Sequence, residues 1–165
     1  MTAGASRFWS PRNSLQGLTI YTLGDVAAQL LLHQLNGGRV LGVMALGATL
    51  YAIEIPNWFA FIDKRVTEQR PVPRALQRTA LALAYFNPLW IARHLLFLRL
   101  FSGATVGVDL LRLGLVSWAA NLPVAVLANW LIQVKIPLRW RFLASATFSG
   151  LMAIYYAASD VIWRH

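Results

Sequence analysis

RVLGVMALGATLYAIEIPNWFAFIDK, residues Arg39–Lys64, opens on a guanidinium and closes on Asp63 and Lys64. Between these ends, Val40 to Phe61 is apolar and long enough to cross about 30 Å of hydrocarbon at about 1.5 Å of rise per residue. Its last third carries Glu54, Pro56 and Asn57, and a carboxylate at that depth costs roughly 2.5 kcal/mol or more unless it is partnered or wetted. Two environments answer for Glu54. It can snorkel to the headgroups beside the aromatic belt of Trp58, Phe59 and Phe61, or it can face a polar pathway through a bundle.

The rest of the chain has the same character. Its 165 residues are 58% hydrophobic with a mean hydropathy of +0.53, too apolar for a water-soluble domain of this length. The expected fold is all-α: a single membrane-embedded domain, residues 1–165, built as an integral membrane bundle of four to five transmembrane helices. Cysteine is absent, which removes disulfides, thiolate metal sites and cysteine nucleophiles together. Lys and Arg number 15 against 6 Asp and Glu, a net charge of +9. These cations lie mostly between the apolar runs and not on an aromatic-interleaved platform, which points to anionic lipid headgroups as partner and away from nucleic acid.

Upstream of the opening stretch, residues 1–14 are basic, free of acids and without the long apolar core of a secretory signal, so Phe8 and Trp9 read as an interfacial anchor. Leu15–Leu35 is the first apolar segment. Within it Gly17, Tyr21, Gly24 and Ala28 step by four, three and four residues, a mostly small-residue seam on which another helix can pack closely. Beside the seam, Asp25 and Gln29 lie one turn apart. Asp25 is either a hydrogen-bonded structural carboxylate or a pore-lining charge. Asn36-Gly37-Gly38 makes the turn into the second segment.

Downstream, Asp63 to Arg78 is a basic loop whose Lys64, Arg65, Arg70, Arg74 and Arg78 are expected at lipid headgroups. The third apolar run, Ala75–Phe101, contains Pro88, which removes a backbone donor and frees a carbonyl one turn back; a kink is expected near Ala84. Arg93 beyond it needs an acid, and Asp25 and Glu54 are the candidates. His94 reads as a packed or interfacial imidazole, or else as a pH switch. No metal site is expected from His33, His94 and His165, which are scattered along the chain.

The fourth run, Leu110–Val134, carries a second expected kink at Pro123. Asn121, Ala125, Asn129 and Gln133 step by four and share a face that either lines water or makes interhelical hydrogen bonds of about 0.6–2 kcal/mol each. Lys135, Arg139 and Arg141 precede the fifth run, Phe142–Ile162, where Ser145, Thr147, Ser149, Gly150, Ala153 and Ala157 are small packing positions and Tyr155, Tyr156 and Trp163 suit an interface. If all five runs cross, Arg7, Arg12, the 64–78 cations, Lys135, Arg139 and Arg141 share one face. Arg39, Arg99, Arg112 and Arg164 hold the other, and the N-terminus belongs on the more basic side.

The order of Arg39, Gly47, Trp58-Phe59 and Ile62-Asp63-Lys64 resembles the pattern of arginine, helix glycine and W-Y-x-x-L-D-R/K in the Mpv-seventeen and peroxisomal-membrane-protein family of small organellar membrane proteins. Gly24, Asp25 and Gln29 resemble the G-D-x-x-x-Q of that family's first helix. Phe86-Asn87-Pro88 stands where the family commonly has F-A-P, and Trp118, Pro123, Asn129-Trp130, Pro137 and Arg141 resemble its C-terminal signature. The chain departs from the pattern at Ala52-Ile53 and Pro56, where many members have Gly-Pro and often a His, and at Ala82-Leu83 in place of Asp-Gln. The resemblance implies an address in the mitochondrial inner membrane first and the peroxisomal membrane second, and weakly selective passage of small solutes.

No phosphate-binding glycine loop, metal-ligand spacing or Ser, His and acid arrangement occurs, so neither enzyme chemistry nor a cofactor is expected. Two functions remain open. A channel would be lined by Asp25, Gln29, Glu54, Arg93, Asn121, Asn129 and Gln133. A structural accessory subunit of a larger mitochondrial membrane complex, of respiratory-chain or ATP-synthase type, would instead pair these groups inside a dry bundle. The chain's partners are then membrane lipids, other subunits or further copies of itself.

Overall fold

Proline and asparagine set most of the helix boundaries in a computed structural model that describes residues 9–162, the side chains of 153 and 156–162 excepted. Helix α1 (Pro11–Leu31), α4 (Pro71–Tyr85) and α5 (Pro88–Ser102) each open on a proline, where the missing N–H has no intrahelical partner to lose. Asn36 caps α2 (Gly37–Leu46), its side chain accepting from the Arg39 amide at 2.9 Å. A π-helical turn, Gly47–Tyr51, joins α2 to α3 (Ala52–Arg65) in one continuous rod. Then come α6 (Asp109–Lys135) and α7 (Leu138–Ile162), and no strand occurs among the described residues. Expectations resting on Arg7, Phe8, Ala153, Tyr156, Ala157, Trp163, Arg164 and His165 lie outside what is described.

Pro88 ends one helix and starts another, where the sequence pointed to a kink within a single helix. The Asn87 side chain accepts from the Trp90 amide at 3.0 Å and donates to the Ala84 carbonyl at 2.9 Å, so the break at Phe86-Asn87 is capped from both sides. Pro123 behaves differently. Helix α6 runs through it without interruption.

Three segments are long and apolar enough to cross a membrane: Gly37–Arg65, Pro71–Ser102 and Asp109–Lys135. Leu23, Leu41, Leu76, Leu89 and Leu127 are among many large apolar side chains left exposed, an exterior more compatible with an integral membrane protein than with water.

Helix α1 packs most extensively on α7, and Gly24 lies against Gly150 so closely that a Cβ at position 24 would stand 2.7 Å from the Gly150 Cα. Further toward the start of α1, Gly17 meets Gly47 backbone to backbone. The seam read from the sequence therefore serves two neighbours. The core is built around Tyr51, Ile55, Phe59 and Ile62 of the rod, with Tyr21 from α1, Trp90 and Leu95 from α5, and Phe142 from α7. Such close approach and the interhelical polar bonds described next are the contacts that hold helices together where apolar burial gives no drive, as it does not between helices in lipid.

Candidate functional site

The charged residues fall into clusters, each centred on an acid. Asp25 is buried at 2% exposure; its Oδ1 accepts from Arg39 Nε at 2.9 Å and Nη2 at 2.5 Å, and its Oδ2 accepts from Gln29 Nε2 at 2.5 Å. Gln29 Oε1 in turn accepts from the Asn36 amide at 2.6 Å. One network thus ties the end of α1, the turn and the start of α2, so the turn geometry decides which cation neutralises Asp25. The sequence reading did not foresee Arg39 in this role.

Glu54 meets Arg93 in a two-pronged pair, Nη1 to Oε1 at 2.9 Å and Nη2 to Oε2 at 2.6 Å, and accepts from the Tyr85 hydroxyl at 2.7 Å. Arg93 therefore takes Glu54 and not Asp25. Both side chains are about a third exposed, which sets this pair apart from the buried Asp25 network. Asp63 takes two cations, Arg78 and Arg141, the latter at 2.7 Å, and Arg141 Nε also donates to the Ile136 carbonyl at 2.9 Å. Glu68 pairs with Arg70 on the exposed link, whose hydrogen bonds hold its carboxyl below the ordinary range. With Asp109 held by Arg99, every described acid is neutralised by an arginine.

Tyr51 and His94 form a buried polar contact, hydroxyl to Nδ1 at 2.8 Å, with the Trp90 ring stacked on the imidazole at 5.6 Å and 7°. This satisfies the imidazole within the core, as a packed histidine requires. Beside it lies a cavity of about 50 Å³, lined among others by Tyr21, Asp25, His94, Asn121, Asn129 and Ser145. That volume clears the roughly 10–15 Å³ that a cavity needs to hold a water. Phe86, Trp90, Trp118 and Phe148 make up much of the remaining wall.

Asn121, Ala125 and Asn129 thus face one chamber, as their spacing suggested, and Asp25 from α1 joins them there, while Gln29 stands behind Asp25 and the Glu54–Arg93 pair lies elsewhere. Gln133 also leaves the stripe. Each step of four along an α-helix turns the side chain by about 40°, so three steps carry it about 120° from Asn121, and it lines a separate pocket with Arg78 and Arg141. Ser145 and Ser149 on α7, read as packing positions, complete the chamber. Lys64, Arg65, Arg70 and Arg74 are exposed. Arg78 is not. It turns inward to Asp63 because α4 already began seven residues earlier and presents it to α3 and α7. Among the described residues no three His, Asp or Glu side chains converge as metal ligands.

Comparison of the chain with known protein families, with curated proteins and with solved structures yields no match.

Proposed function

We propose that the chain is an integral membrane protein that provides weakly selective passage for small solutes across the mitochondrial inner membrane, and that the conformation described is its closed state. The observation that carries this reading is the chamber between α1, α5, α6 and α7, where Asp25, Asn121, Asn129 and Ser145 border space sized for water inside the bundle. Polar side chains facing a cavity inside a membrane bundle are the ordinary signature of a pathway. In this reading α1 and α7 cross with the three longer segments, giving five spans, and the aromatic wall of Phe86, Trp90, Trp118 and Phe148 is the constriction. The resemblance of Gly24, Asp25, Gln29, Arg39, Gly47, Trp58, Phe59 and Asp63 to the Mpv-seventeen family supports the address, and the excess of cations on the N-terminal side would then put the N-terminus in the matrix.

One observation favours the second reading, a structural accessory subunit. All described acids are already neutralised by arginines, which a dry bundle requires. Flux of small solutes from liposomes containing purified protein separates the two. Wild-type leak that falls with Asn129→Leu, which fills the chamber, supports passage. Tight liposomes from folded protein, together with co-migration with a large assembly in mild detergent, support the accessory subunit.

A further inference from the structure

We propose that the pocket between the start of α4, the end of α6 and the start of α7 is a binding site for a phosphate group, carried either by an anionic lipid or by a soluble phosphorylated solute. The pocket has a volume of about 310 Å³ and is lined by Arg74, Arg78, Arg141, Gln133, Gln69 and neighbouring residues. It is separate from the chamber, and the assignment stands whether or not the bundle conducts.

Charge is the first argument. Three guanidiniums converge and one carboxylate, Asp63, answers them by pairing with Arg78 and Arg141. That leaves two positive charges uncompensated. Every described acid is paired to an arginine other than Arg74, so Arg74 stands at the pocket mouth as an exposed cation with none of them for a partner. Buried polarity is the second argument. Gln133 is only 1% exposed, yet neither its Nε2 nor its Oε1 has a hydrogen-bond partner. The Nε of Arg78, a residue 8% exposed, is likewise unmet. Leaving such groups unsatisfied costs about 1–3 kcal/mol each, and both belong to residues lining this pocket.

The set of donors fits one ligand chemistry. Guanidiniums supply paired N–H groups matched to phosphate oxygens, the amide of Gln133 supplies a neutral donor, and Asp63 holds two of the three arginines in place. Pro71 also lines the pocket, and the start of α4 has no side-chain cap, so the positive end of that helix adds to the field. A carboxylate ligand would use fewer of these donors, and a cation would be repelled.

The test uses the full chain in a maltoside detergent and in nanodiscs. Binding of inorganic phosphate and pyrophosphate is titrated by calorimetry. Retention of phosphatidic acid and of cardiolipin against a phosphatidylcholine background is counted by native mass spectrometry. Wild type is expected to bind in at least one arm, with Arg74→Gln and Gln133→Leu each about tenfold weaker and Arg139→Gln, an exposed cation outside the pocket, unchanged. Saturable binding of the soluble phosphates identifies a solute site; retention of anionic lipid alone identifies a headgroup site. Arg74→Gln spares every ion pair described, so loss of binding there is not a folding defect. Absence of binding in both arms, or equal weakening by Arg139→Gln and Arg74→Gln, overturns the proposal, since the latter reports a diffuse basic surface.

Discussion

Replacing Gly24 by alanine tests the tightest part of the α1–α7 crossing, and Gly150→Ala at the same crossing supplies its control. A Cβ at position 24 would stand 2.7 Å from the Gly150 Cα and 2.8 Å from the Gly150 carbonyl oxygen, against a normal contact limit of 3.4 Å. The obstacle is backbone, so the helices must separate by roughly 0.7 Å or more along their main contact, the kind of overpacking that costs about 1–3 kcal/mol. At position 150 the same methyl meets Ile20 at 3.4 Å and Gly24 at 3.9 Å, and it fits. Alanine also gains about 1 kcal/mol of helix propensity over glycine at both sites. The difference between the variants cancels that gain and isolates the close approach. Unfolding in mixed maltoside and dodecyl sulfate micelles, followed by far-ultraviolet circular dichroism, should place Gly24→Ala about 1–3 kcal/mol below Gly150→Ala. Equal stability of the two would refute the backbone contact.

Asp25→Asn leaves Arg39 facing a neutral amide in a buried network and should lower stability by about 3 kcal/mol or more, whereas Asp25→Leu combined with Arg39→Met should cost much less than the sum of its parts; the same unfolding assay decides. Tyr51→Phe removes the hydroxyl held by His94 at 2.8 Å and should cost about 1–2 kcal/mol, with a shift of the imidazole nitrogen-15 resonances that a substitution felt only through packing would not produce. Asn36→Ala removes the cap on α2 and should cost about 1 kcal/mol, seen as faster hydrogen exchange at the Arg39 amide.

The sequence marked which residues need partners more clearly than which partners they take. Gly17 and Gly24 announce close packing by size and spacing alone, yet one meets Gly47 and the other Gly150, a division that depends on how two distant segments pass α1. Asp25 plainly needs a cation. Arg39 stands out only as the cation that opens an apolar run, and it is the five-residue turn before α2 that brings it back to α1. For Arg93 the reverse holds: Glu54 was one of two named candidates, since only two acids lie within the first apolar runs. Arg78 reads with the cations of the basic loop although the run from Ala75 already contains it; nothing in the sequence tells that this turn of helix faces Asp63.

The π turn at Gly47–Tyr51 has a consequence for phase. Val43, Gly47, Tyr51, Ile55 and Phe59 are all buried, although a regular helix would fan this series through about 160°. One extra residue in the wider turn takes back about 100° of that rotation. The turn acts as a clutch within the rod, letting the first half pack on α1 and α5 while the second half packs on α4 and α7 and still aims Glu54 at Tyr85 and Arg93. Deleting a single residue there would leave the composition almost untouched and still swing Glu54 away from its arginine.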